Sequence, residues 1–107
     1  ETVAKLAESY PPHLSIIDGF VGMERNGPIG GTPVNSQVAI ASLDPLAADI
    51  VGAWVMGFDP EEVGYLSHLM QKRKLSLAKI QILGDNIDRC RIKYRPHDNY
   101  VKMLDWR

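Results

Sequence analysis

The chain has 107 residues, of which 45% are apolar and 23% charged, and a net charge of −1. These are the proportions of an ordinary globular protein of about one small domain, with a core of little margin. They exclude a long apolar membrane span, and the single cysteine, Cys90, excludes both an internal disulfide and a cluster held within the chain.

Residues 2–9 predict a short helix with Val3, Leu6 and Ala7 on one face, ended by Pro11 and Pro12. LSIID (14–18) reads as a buried strand, closed by Asp18 and Gly19. A long loop follows, from Asp18 to Pro33, holding five glycines and two prolines. QVAIASL (37–43) is the second expected strand. Asp44-Pro45 then announces a helix, with an N-cap acceptor before a proline whose missing N–H costs nothing there. It is expected to run to about Met56 and to stop at Gly57. Asp59-Pro60-Glu61-Glu62 repeats the device. It predicts a helix from Pro60 to Arg73, with a capping box from Glu62, a staple from Phe58 to Val63, and a basic end that suits the helix dipole. KIQIL (79–83) predicts a third strand. RCRIKYR (89–95) alternates strictly and predicts a fourth, an edge guarded by positive charge. In the tail, Tyr100, Met103, Leu104 and Trp106 are expected to dock on the core.

This order points to an α/β domain, with α+β the alternative: a small mixed sheet of about four strands with helices packed on it. All 107 residues form one domain on this reading. Charge is divided along it. Residues 1–64 carry nine acids and two bases; residues 65–107 carry four acids and ten bases. Such a split either steers a charged partner or draws the two halves together. The basic face of 89–95 lacks interleaved exposed aromatics and any recognised module, which argues against nucleic acid. One cysteine and no visible signal peptide suggest a reducing compartment, the cytoplasm. The start at Glu1 suggests a processed or excised piece.

The helix PLAADIVGAWVM is apolar all round except for Asp49, as a helix covered on every side would be. A carboxylate there must be paired, hydrogen-bonded, protonated or metal-bound. The 18–33 loop matches neither the Walker phosphate loop nor the dinucleotide fingerprint. Its length nevertheless favours a functional segment. Asp18 and Glu24, with Asp49, would make a hard oxygen site for Mg²⁺ or Ca²⁺. Alternatively, Arg25 and exposed amides would hold a carboxylate or phosphate. The expected ligand-binding set is Asp18, Gly22, Glu24, Arg25, Asn26, Gly27 and Asp44, although capping alone would account for Asp44. His13, His68 and His97 lack metal-ligand spacing, with His68 read as solvated, and Cys90 reads as a packed thiol.

Three motifs occur in order: Asp-Gly-x-x-Gly-Met-Glu-x-Asn-Gly-Pro from Asp18, Asp-Pro-x-x-x-Asp from Asp44, and Met-Gly-Phe-Asp-Pro from Met56. Together with KIQILGD they resemble the C-terminal part of the prokaryotic domain-of-unknown-function family 362, over about Leu14 to Asp85. The resemblance implies that an N-terminal part of a longer family domain is missing here. It also implies redox surroundings, because family members often carry ferredoxin-type iron–sulfur modules. This chain lacks the cysteines for such a cluster, so the implied partner is a ferredoxin-like module or the missing N-terminal part. The resemblance assigns no role to any residue and leaves open whether the chain is an enzyme. Two functions stand beside each other: a metal- or small-anion-binding domain within a redox-associated enzyme, and a non-catalytic scaffold for an iron–sulfur partner.

Overall fold

The computed structural model of the protein describes residues 2–104. Its elements are α1 (Thr2–Ser9), β1 (Ser15–Gly19), β2 (Gly22–Asn26), β3 (Gly30–Val34), β4 (Val38–Ser42), α2 (Pro45–Val55), α3 (Gly64–Arg73), α4 (Ile87–Cys90) and α5 (Tyr100–Met103). Single 3₁₀ turns lie at Pro60–Glu62 and Leu77–Lys79. The α/β class and the number of strands match the sequence reading, but only β1 and β4 lie where it placed a strand. The four strands form two antiparallel pairs, β1 with β4 and β2 with β3, rather than one mixed sheet.

α2 is the axis of the molecule. Asp44 caps it as expected, its carboxylate accepting from the Leu46 N–H at 3.0 Å. Gly57 turns the chain away at φ 85°, a left-handed conformation that glycine adopts without penalty. No residue of α2 is exposed. One side meets the core formed by Ala4, Leu46, Ile50, Leu66, Leu69 and Met70, which joins α1, α2 and α3. Another side carries β1 and β4, with Ile17 against Gly52. The all-apolar sequence of this helix is therefore answered within the chain.

Several expectations need correction. The face of α1 that packs is Ala4, wholly buried, whereas Val3 and Leu6 are mostly exposed. β1 is half-buried: Ile17 faces α2 and Ile16 faces out. The helix expected from Pro60 to Arg73 breaks at Val63, which is extended at φ −89°, ψ 114°. Asp59 caps only the short turn before it, through the Glu61 N–H at 2.9 Å. α3 ends at Lys74 in the left-handed conformation.

Residues 79–83 form no ladder. No described backbone hydrogen bond is made by Gln81, Ile82 or Leu83. A strand needs a neighbour, and here the nearest wall, β4, stands across a groove. Residues 89–95 are not a strand either. Asn86 caps a helical turn through the Asp88 N–H at 2.8 Å and draws in Arg89 and Cys90. Beyond it the expected alternation survives, with Ile92 and Tyr94 inward and Arg91, Lys93 and Arg95 outward. Its partners are the orphan carbonyls at the end of α2: the Ile92 N–H donates to Val55 and the Tyr94 N–H to Met56. Tyr100 docks as expected, its ring 5.8 Å from that of Phe58. The expected docking of Trp106 and of the Met103 side chain falls outside the described residues. No helix among the described residues is long and apolar enough to cross a membrane.

Candidate functional site

The glycine-rich stretch 18–33 is not a loop. Most of it is the β2–β3 hairpin, in register from Gly22↔Val34 to Asn26↔Gly30, with a turn at 27–29. Glycine and proline content suggested an irregular segment, but an antiparallel ladder runs on backbone groups, which glycine also supplies. The length argument for a functional loop therefore lapses.

The segment after α4 straps this hairpin down. Glu24 Oε1 accepts from Arg95 Nε at 2.6 Å and lies 2.5 Å from its terminal nitrogen, while Oε2 accepts from the Arg95 N–H at 2.8 Å. The Arg95 guanidinium and N–H hold the Glu24 carboxyl below its usual range. In return the Arg25 N–H donates to the Arg95 carbonyl at 2.9 Å. Asn26 and Asp98 exchange a pair of hydrogen bonds, at 2.7 and 3.1 Å. Gly22 lies beneath Tyr94, so closely that a Cβ there would enter the ring's hydroxyl end. The Tyr94 hydroxyl in turn hydrogen-bonds Ser36 Oγ in a buried contact.

The candidate residues thus divide. Both oxygens of Glu24 and both ends of the Asn26 amide are occupied by the strap. Asp44 caps α2 and also grips Arg73, with both guanidinium nitrogens at 2.8 and 2.7 Å, which lowers its pKa. Arg25 is exposed at φ 67°, and Gly27 sits in the exposed hairpin turn. Asp18, Gly22 and Asp49 do come together. They line one cavity of about 350 Å³ between the strands, the middle of α2 and the start of α3.

Asp49 is half-buried on its wall, and its Oδ2 accepts from the Tyr65 hydroxyl at 3.3 Å. Burial pushes the Asp49 pKa up, and the Tyr65 bond only partly offsets this. Tyr65 is itself pushed up to about 12, first by burial and then by the Asp49 charge, so it stays a donor at neutral pH. Asp18 contributes from the exposed end of β1, where its Oδ1 accepts from the Phe20 N–H at 3.2 Å. The remaining lining is apolar and aromatic, with Met23, Met56, Phe58 and Tyr94 prominent. Among the described residues no Lys, Arg or His lines the cavity. Among the described residues no group of three or more His, Cys, Asp or Glu is arranged to hold a metal ion.

Sequence reasoning missed Phe58, Tyr65, Tyr94 and Arg95. Tyr65 lies 16 residues beyond Asp49, and the break at Val63 hides which way it faces. Tyr94 was legible as an inward residue but not as a wall of this cavity. Arg95 looked like one of four solvated bases. His68 is exposed as expected, and His97 Nδ1 accepts from the Asn99 N–H. Cys90 is half-buried, against a second hollow of about 420 Å³ between β4, α2 and residues 80–87. A wider depression of about 590 Å³ beside α3 is open and lined by charges of both signs.

Residues 1–54 match the family described as Domain of unknown function (DUF362). That span holds the motifs from Asp18 and Asp44, whereas Met-Gly-Phe-Asp-Pro and KIQILGD lie beyond it. A thylakoid-associated protein of Synechocystis sp. is 35% identical over 63 residues, 59% of this chain and 20% of that protein. The chain thus spans about a fifth of the length of this relative. No solved structure matches. With just over half its length covered by the family pattern, the chain belongs to the DUF362 family.

Proposed function

We propose that this chain is a ligand-binding domain whose site is the cavity walled by Asp18, Asp49 and Tyr65, and that its ligand is positively charged. The observation that carries this reading is the lining itself: the half-buried Asp49 carboxylate stands in a mostly apolar hollow with the exposed Asp18 at its edge, and no basic residue among those described lines it. A half-buried carboxylate held only by a neutral hydroxyl favours protonation or a cationic partner, and burial raises the Asp49 pKa accordingly. A small anion would meet repulsion from the Asp49 carboxylate. A divalent ion such as Mg²⁺ or Ca²⁺ would find Asp18 and Asp49, while Glu24 is committed to Arg95. Thermal shift with Mg²⁺, Ca²⁺, Mn²⁺ and small organic cations tests the reading. At least one is expected to raise the melting temperature saturably, and Asp49→Asn to remove the response. If none does, the cavity is not a cation site.

A second reading, a non-catalytic scaffold, is favoured by the groove beside β4. The Gln37 N–H bonds Phe20, so inward bonds fall at odd-numbered residues of β4. Val38, Ile40 and Ser42 then turn their backbone groups to the free edge. Residues 81–83 line the far wall, also without backbone partners. An extended segment of another protein module would satisfy both walls by strand addition. An iron–sulfur module is the version that the family resemblance implies. Proline substitutions at Ile40 and Ile82 are expected to abolish capture of such a module; unchanged binding would eliminate this reading.

A further inference from the structure

We infer that the ligand of the Asp49 cavity is a small organic ammonium ion rather than a divalent metal. This rests on reading the cavity as a cation site, and it assigns the chemical class of the ligand from the cavity wall.

A hard divalent ion demands about six or more oxygen ligands at roughly 2.0–2.6 Å, and retains water where the protein supplies fewer. This wall offers the half-buried Asp49 carboxylate and otherwise mostly carbon, with Asp18 only at its exposed edge. The third expected acid, Glu24, is held by Arg95 and is not part of the wall. Rehydrating an ion inside an apolar hollow would set water against Met23, Met56, Ile17 and Val63.

An organic ammonium has the opposite requirements. Its charge is spread over attached CH groups, which pack against apolar and thioether surfaces. The faces of aromatic rings attract it, most strongly where water is excluded. Phe58, Tyr65 and Tyr94 all border the hollow. Asp49 supplies a single counter-ion from its half-buried position, and the Tyr65 hydroxyl steadies that carboxylate from one side. Gly52 and Ala53 keep the α2 wall shallow, so the cation approaches the helix closely. The volume, about 350 Å³, is at the small end of ligand pockets, roughly 300–1,000 Å³. That suits a compact head such as a trimethylammonium or a short amine rather than a nucleotide.

The test is titration of the ¹⁵N-labelled chain with choline chloride, with its uncharged isostere 3,3-dimethylbutan-1-ol, and with MgCl₂ and CaCl₂, at matched ionic strength. The inference expects choline to shift the amides of Gly19, Gly22, Gly52 and Ala53 saturably. The isostere should bind at least tenfold more weakly. Asp49→Asn should remove that preference, and Phe58→Leu should weaken choline while leaving the carboxylate intact, which guards against a folding defect in either variant alone. Equal binding of choline and isostere would overturn the inference, because the hollow would then be merely apolar. Saturable shifts with Mg²⁺ or Ca²⁺ and none with choline would overturn it too, yet leave the cation-site reading standing. Silence from all four probes would bring down both.

Discussion

Gly22 and Asp49 are the two positions where single side chains decide most. Gly22 has no room for a methyl group, because the Tyr94 ring and hydroxyl already occupy it. Gly22→Ala is therefore expected to cost about 1–3 kcal/mol through overpacking, read as a lower urea midpoint. An unchanged midpoint would mean that Tyr94 moves aside freely. Asp49 governs pH dependence. Burial raises its folded pKa, so the folded state holds this proton more tightly than the unfolded chain does. Its contribution is fully present below the ordinary carboxyl range and is lost as pH rises through the raised value. Asp49→Asn is thus expected to have a higher melting temperature than the parent at pH 7, with the gap closing in acid. Glu24 and Asp44 act in the opposite sense. Arginine partners lower their folded pKa values, so their stabilisation is present above the ordinary range and lost as pH falls through the lowered values.

At the scale of elements, the N-terminus of α2 and the β2–β3 hairpin are each held from a distance. Asp44→Ala removes the cap and the Arg73 grip together. The cap alone is worth about 1 kcal/mol, and Arg73→Ala should cost less, because that pair is half exposed. Equal losses from the two substitutions, by denaturant titration, would show that the cap contributes nothing. In the hairpin, Glu24→Gln should speed amide exchange along β2 and β3 while leaving α2 and α3 protected; uniform exchange would contradict the strap. These elements also mark what could be read from sequence. α1, β1, β4, α2 and the Asp44 cap were legible because their signals are local: a proline at a helix start, a branched run, an acceptor two residues from its donor. The hairpin was not, because its composition resembles a loop and its anchors lie 71 and 72 residues away. KIQIL has strand chemistry and no neighbour to pair with. RCRIKYR kept its alternation but found helix carbonyls instead of a strand. Of the candidate site, Asp18 and Asp49 were legible as unexplained carboxylates. The aromatic wall was not, because it is assembled from three separate stretches of chain.

For the molecule as a whole, the division of charge resolves inward. Lys72–Glu8, Arg73–Asp44 and Arg95–Glu24 each join a base from the basic half to an acid from the acidic half. These pairs are partly solvated, so raising NaCl from about 50 to about 500 mM should lower the melting temperature modestly by screening them. A rise instead would show that repulsion within each half outweighs the pairs. The strap from Tyr94 to Asp98 carries a further consequence, for the order of events during synthesis. The hairpin emerges from the ribosome before the groups that fasten it, which are translated some seventy positions later. Contacts so distant along the chain are slow to close. Until they do, two short strands alone are marginal in water. A nascent chain halted before Tyr94 would therefore present this ribbon to proteases, and one completed through Asp98 would withdraw it.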